Sequence, residues 1–166
     1  MHRRKLLVTA LAGISLGAAA QLTPPDRDWK EADAMPPPAF DMKRLIPFDV
    51  SVGSSLRYGI DPATITLGSD GVMRYVVVAR SPTDAVNAMY EGLRCSTAEV
   101  RTYARYNASS GWNAVRDTDW RSLYGNAATR HSLMFARQGG CRDKSQPQSV
   151  QDVVRSLRQQ DFEKLR

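Results

Sequence analysis

The chain is 166 residues long, with 23 lysines and arginines against 17 aspartates and glutamates and a formal net charge of +6. Beyond residue 20 there are two cysteines and one histidine, a scarcity that argues against a zinc site, which wants three or four well-spaced His, Cys or carboxylate ligands. The sequence beyond residue 20 also holds no CxxC, HExxH or GxSxG motif and no phosphate-binding glycine loop. No catalytic constellation, metal or cofactor is therefore expected.

The N-terminus reads Met1-His2-Arg3-Arg4-Lys5, then an uncharged run from Leu6 to Ala20 that ends in Ala18-Ala19-Ala20 before Gln21. A basic start, an apolar stretch and small residues before a cleavage point make a secretory signal peptide over residues 1–20, cut near Ala20. The run is shorter than the roughly 20 residues a membrane-spanning helix needs, so no transmembrane segment is expected in the mature chain. The expected location is the periplasm, with association with the outer membrane left open. Losing Arg3, Arg4 and Lys5 leaves 20 basic residues against 17 acidic ones, a net of +3. That modest charge, with export, argues against a nucleic-acid partner. The charge is unevenly spread: residues 71–166 hold 15 basic side chains, 13 of them arginine, against 9 acidic ones. Arginine suits bidentate contacts with carboxylate or phosphate and stacks on aromatic rings.

Residues 21–44 form a proline-rich arm, with Thr23-Pro24-Pro25 and Pro36-Pro37-Pro38 on either side of Trp29, Lys30 and Glu31. Such a stretch favours extended polyproline conformation and interrupts any helix. The arm either packs on its own domain through Trp29 and Phe40, the preferred reading, or reaches a partner. Residues 45–160 are the right length for one domain with a real core.

Ile46, Phe48 and Val50 alternate with Pro47 and Asp49, the period of a half-buried edge strand. Thr64–Leu67 and Val72–Ala79 flank Gly68-Ser69-Asp70-Gly71, a hairpin signal because Asp-Gly supplies positive-φ positions. Residues 87–95 and 99–106 make a second strand pair around Ser96-Thr97-Ala98. From Trp112 to Tyr124 the apolar spacing is irregular and reads as short helical turns and loops. Leu133, Met134 and Phe135 suggest a short helix stopped at Gly139-Gly140. Ser149 caps a last helix whose Val150, Val153, Val154 and Leu157 follow i, i+3, i+4, i+7. The fold class is α+β: an antiparallel meander of four to five strands with C-terminal helices packed on one face.

In the second hairpin, a loop of two or four residues pairs positions whose numbers sum to 195. Cys95 then faces Val100, Leu93 faces Thr102 and Met89 faces Tyr106 on an apolar side. The other side pairs Arg94 with Arg101, Tyr90 with Arg105 and Gly92 with Tyr103. Tyr90, Arg94, Arg101, Tyr103 and Arg105 are the candidate binding face. Like charges opposed across a strand pair are unfavourable, so this face calls for an anion. An acidic residue of the same chain, such as Asp117 or Asp119, is preferred, and an external anion is the alternative. An exported protein with two cysteines is expected to join Cys95 to Cys141; a reactive Cys95 paired with His131, the one histidine beyond the leader, is the weaker reading.

The stretch from Asn87 to Arg105, with Tyr90-Glu91-Gly92-Leu93-Arg94-Cys95, Glu99 and Tyr103-Ala104, resembles the conserved-neisserial-protein-like (CNP-like) family of exported betaproteobacterial proteins. The likeness runs from the proline-rich arm and Phe48-Asp49-Val50-Ser51, through Trp112 and Trp120, to the final helix. It implies an envelope location and a one-domain layout over 45–160, and it transfers no catalytic residue. The expected function is a non-enzymatic binding or interaction module of the cell envelope, its partner an unknown envelope protein or anionic ligand. The alternative is a hydrolase acting on envelope glycan, peptide or lipid. Glu91 and Glu99 would be its carboxylates, a poor pair because strand parity points them to opposite faces.

Overall fold

The computed structural model describes residues 28–51, 54–116, 119–125 and 127–163, the last three without their side chains. The expected signal peptide and Asp117 lie outside these residues. Within them the chain is α+β, an antiparallel sheet with helices following it.

The sheet has eight strands rather than four or five. These are β1 (Ile46–Phe48), β2 (Arg57–Ile60), β3 (Thr66–Leu67), β4 (Val72–Arg80), β5 (Val86–Arg94), β6 (Glu99–Asn107), β7 (Gly111–Ala114) and β8 (Arg121–Ser122). The spatial order is β1-β2-β4-β5-β6-β7, with β3 paired to one end of β4 and β8 to one end of β6. The extra strands have a simple cause. Strands of two to four residues carry too little alternation to be read locally, and they exist because a long neighbour offers unpaired backbone groups. The span from Trp112 to Tyr124, read as short helical turns and loops, thus holds most of β7 and all of β8, which share the outer edge of β6.

The helices follow their sequence signals. Thr129 precedes α1 (Arg130–Phe135), which widens into a five-residue π-helical turn, Ala136–Gly140, and ends where the Cys141 N–H meets the Ala136 carbonyl at 2.9 Å. The final helix α2 (Val150–Glu163) begins at Ser149, whose Oγ accepts the Asp152 N–H at 3.2 Å and donates to the Asp152 carboxylate at 2.8 Å. Both helices lie on one face of the sheet. There Val153, Leu157 and Phe135 join Tyr75, Val77, Leu93 and Val100 in the larger apolar cluster. The expected disulfide, Cys95 to Cys141, ties the turn after β5 to the end of the π-helical turn. In the chain-entropy account, closing a loop of 46 residues' separation contributes about 4 kcal/mol.

The other face is covered by the arm. Val76, Val78, Ala88, Tyr90 and Ala104 form a second cluster, with Phe40, Leu45, Tyr106 and Trp112 against it. Phe40 meets Tyr106 and Trp112 edge-on at 5.1 and 6.0 Å between ring centres. Arg44 then forks onto the fully buried carboxylate of Asp61, at 3.0 and 2.8 Å. Packing of the arm against its own domain is the arrangement found.

The hairpin register differs from the expected one in two steps. Arg94 faces Glu99, Leu93 faces Val100 and Glu91 faces Thr102, so the numbers sum to 193 near the turn. A slip of two residues keeps every side chain on its face. Farther out, Tyr90 faces Ala104 and Met89 faces Arg105, a sum of 194, because Tyr103 is an extra residue in a β-bulge. A shift of one inverts the parity, so Arg105 leaves the arginine face and joins Met89 on the helix side.

Candidate functional site

Each face of the sheet holds one carboxylate gathered by side chains from several elements. On the arm side it is Glu31. Arg101 donates to its Oε2 at 2.7 Å and Trp120 Nε1 to the same oxygen at 3.2 Å, while the Tyr103 hydroxyl donates to Oε1. Arg74 approaches Oε1 at 3.5 Å, donates to the Ala32 carbonyl at 2.8 Å and pairs with Asp70 at 2.8 Å. Trp29, two residues before Glu31, donates from its indole to the Asp70 carbonyl at 2.8 Å. The guanidinium of Arg94 lies 3.6 Å over its ring, and Trp120 meets it edge-on at 5.9 Å.

Two sequence details make this socket. Gly92 is necessary because a Cβ there would come within 2.2 Å of the Tyr103 hydroxyl, so the tyrosine ring crosses the strand only over a glycine. Tyr103 shares the side of Arg101 because the two are i and i+2 on β6, and the bulge at Tyr103 shifts the register only beyond it. Burial pushes the Tyr103 phenol far up, reinforced by its bond to Glu31. Burial would raise the Asp70 carboxyl too, but bonds from Arg74 and from the Ala32 and Val72 N–H groups outweigh it and hold the group below its ordinary value.

On the helix side the carboxylate is Glu91, in the middle of β5 and 1% exposed. Tyr75 and Ser132 each donate to its Oε2 at 3.0 Å. Thr102 donates to Oε1 at 3.3 Å, and His131 Nε2 lies 3.0 Å from that oxygen. An ionised carboxylate only accepts, so Nε2 carries a proton. Burial would raise the Glu91 carboxyl; the charge of His131 and the bonds from His131, Tyr75 and Ser132 prevail and hold it below its usual range. The Tyr75 phenol is driven well above its ordinary value by burial and by Glu91. The Tyr58 ring stacks parallel on the His131 imidazole, 5.8 Å between centres and 6° between planes.

This network forms the floor of a cleft of about 370 Å³, within the usual size of small-molecule sites. It opens where the edge of β6 changes partner from β7 to β8. Tyr58, Met89, Val100 and Val115 give it an apolar body, and the exposed side chains of Arg105, Arg121 and Asp119 stand at its mouth. The groups at the floor lack the order that acyl transfer needs. Ser132 is bonded to Glu91 rather than to His131, so the serine lacks the imidazole partner of a Ser-His-acid triad. Cys95 is in the disulfide and has no thiol to pair with His131. Among the described residues no three His, Cys, Asp or Glu side chains gather as metal ligands, and no helix is long and apolar enough to cross a membrane.

Of the expected face, Tyr90 packs in the arm-side cluster, Arg94 faces Glu99 and caps Trp29, and Arg101 and Tyr103 hold Glu31. Arg105 is on the opposite side, its Nη1 3.2 Å from the Met89 sulfur. An acidic residue of the same chain does meet this face, as expected, but it is Glu31 of the arm on Arg101 and not Asp119, which lines the cleft of the helix side. Sequence reasoning missed Glu31, Arg74, Trp120 and the Glu91 network. A signal existed only for the last: Glu91 shares the core-side parity of Cys95, and a carboxylate at such a position must find buried donors.

The family model of the CNP1-like family matches residues 25–158 of this chain. No curated protein and no solved structure matches it.

Proposed function

The chain belongs to the CNP1-like family, and we propose that it is a non-enzymatic binding module of the cell envelope that takes a small anionic ligand in the cleft over Glu91. The observation that carries this reading is the pair of exposed arginines, Arg105 and Arg121, at the mouth of a cleft whose floor is hydrogen-bonded throughout. At the mouth two guanidinium groups stand against one carboxylate, Asp119, while that of Glu91 on the floor is taken up by its own donors; this favours a carboxylate or phosphate, held bidentately. Met89, Val100, Val115 and the Tyr58 ring suit the ligand's apolar body. The leader pattern and the cysteine pair support export to the periplasm as the setting.

Glu91 and Asp119 both line the cleft, which is the arrangement a hydrolase would need. Against that alternative, a general acid is kept protonated by burial, whereas Glu91 is held ionised by its donors. The test is calorimetric titration of the exported chain with inorganic phosphate, N-acetylmuramic acid and short cell-wall peptides. Binding of at least one probe, weakened tenfold or more by Arg105→Ala with Arg121→Ala, is the expected outcome. Equal binding by the double variant, or turnover of a probe that Glu91→Gln abolishes, would overturn the reading.

A further inference from the structure

The Glu31 socket has the features of a recognition site for a peptide segment. Its donors come from β4 (Arg74), β6 (Arg101, Tyr103) and the β7–β8 connection (Trp120), and they converge on one carboxylate carried by a segment with no regular structure. The Arg74 side chain is 6% exposed and Glu31 14%, so the pairing is shielded from water. The tryptophan two residues earlier is clamped between Arg94 and Trp120, and the Ala32 backbone exchanges bonds with Asp70 and Arg74. Between this point and the second anchorage at Phe40, Asp41 and Arg44 run residues 32–36, all exposed, with Met35 73% exposed. The socket segment and the second anchorage are thus joined by an exposed stretch, residues 33–36.

We propose that the socket also accepts the Trp29–Ala32 segment of a second copy of this chain, so that two copies exchange arms. The segment that fits the site by charge and ring stacking is present on every copy. Exchange reproduces each contact of the closed chain, which makes it a low-cost route to a dimer. Closure within one chain acts at an effective concentration on the order of millimolar, so exchange prevails when the copies are crowded to that level or when the own arm no longer fits. The site is distinct from the cleft over Glu91, on the other face of the sheet, and does not depend on the ligand proposed for it.

A charge exchange tests this. Glu31→Arg in one chain and Arg101→Glu in another each place like charges in their own socket, yet a mixed pair with crossed arms matches both sockets. Light scattering after chromatography at about 0.1 mM should show each variant alone as a monomer and the equimolar mixture as a heterodimer. The chain carrying both changes should be a monomer with its arm closed. If either single variant fails to fold, Glu31→Ala replaces both, probed with the peptide Asp-Trp-Lys-Glu-Ala-Asp-Ala of residues 28–34; it should bind, and lose at least tenfold in affinity on adding Arg101→Ala. A mixture that stays monomeric overturns the proposal, as does a peptide that fails to bind or one that binds equally well without Arg101.

Discussion

Glu31 and Glu91 are each met by four side chains, and they differ in what carries them and what meets them. Glu91 sits on a central strand, and its partners Tyr75, Thr102, His131 and Ser132 belong to β4, β6 and α1. Removing the glutamate would strand buried donors in the core. Glu31 sits on an irregular arm, and two of its four partners are arginines, whose long side chains can turn back to water. The first carboxylate is a fixed part of the core, and the second fastens a strap. A carboxylate's hydrogen bonds alone do not tell these apart; the carrier does, a paired strand in one case and an irregular segment in the other.

The comparison can be broken by mutation. Glu91→Ala should cost about 3–5 kcal/mol, the scale for removing one member of a buried charged network, read as a lowered midpoint in urea unfolding. If Glu31→Ala costs as much, the distinction fails. Gly92→Val should cost about 2 kcal/mol, because the new side chain drives the Tyr103 ring off the strand and opens the socket without touching a charge. Trp29 fluorescence should then shift to the red. Glu31→Ala should cost about 1–2 kcal/mol, since Arg101 is already 32% exposed and its freed charge can hydrate. Arg105→Ala with Arg121→Ala should change the stability by less than about 0.5 kcal/mol, as exposed substitutions do.

Acid sharpens the contrast further. Asp61 and Asp70 are held below their ordinary values, because bonds from Arg44 and Arg74 and from backbone N–H groups overcome the opposing effect of burial. A carboxyl depressed in the folded state binds its proton more readily when unfolded, so stability rises with pH through the acid range. It should be fully present above about pH 5 and fall as the pH drops through the folded-state values. Both aspartates fasten the arm, so Asp70→Asn should flatten the acid limb of a pH series of urea midpoints and release Trp29 at neutral pH. An unchanged acid limb in Asp70→Asn would show that the strap contributes nothing to acid stability.

Much of the fold was legible locally. The Asp70-Gly71 turn, the Ser149 cap and the alternation of β4 to β6 depend on neighbours a few residues away, and each stands where the pattern put it. The strand count was not legible, since β2, β7 and β8 are short pieces that take their form from β4 and β6. The candidate face was half legible. Parity placed Tyr90, Arg94 and Arg101 together, and a one-residue bulge sent Arg105 to the other side.

By itself, then, the sequence determined the long strands and the helices, the family, the cysteine pair and the side of β5 on which Glu91 must lie, because periodicity and composition act over a few residues. Only the tertiary structure decided that Arg101 meets Glu31, 70 residues away in the chain, and that Glu91 meets His131 beside an open cleft. Register, bulges and the return of an arm bring distant charges together, and burial selects which of them pair. None of these leaves a periodic trace in the order of residues.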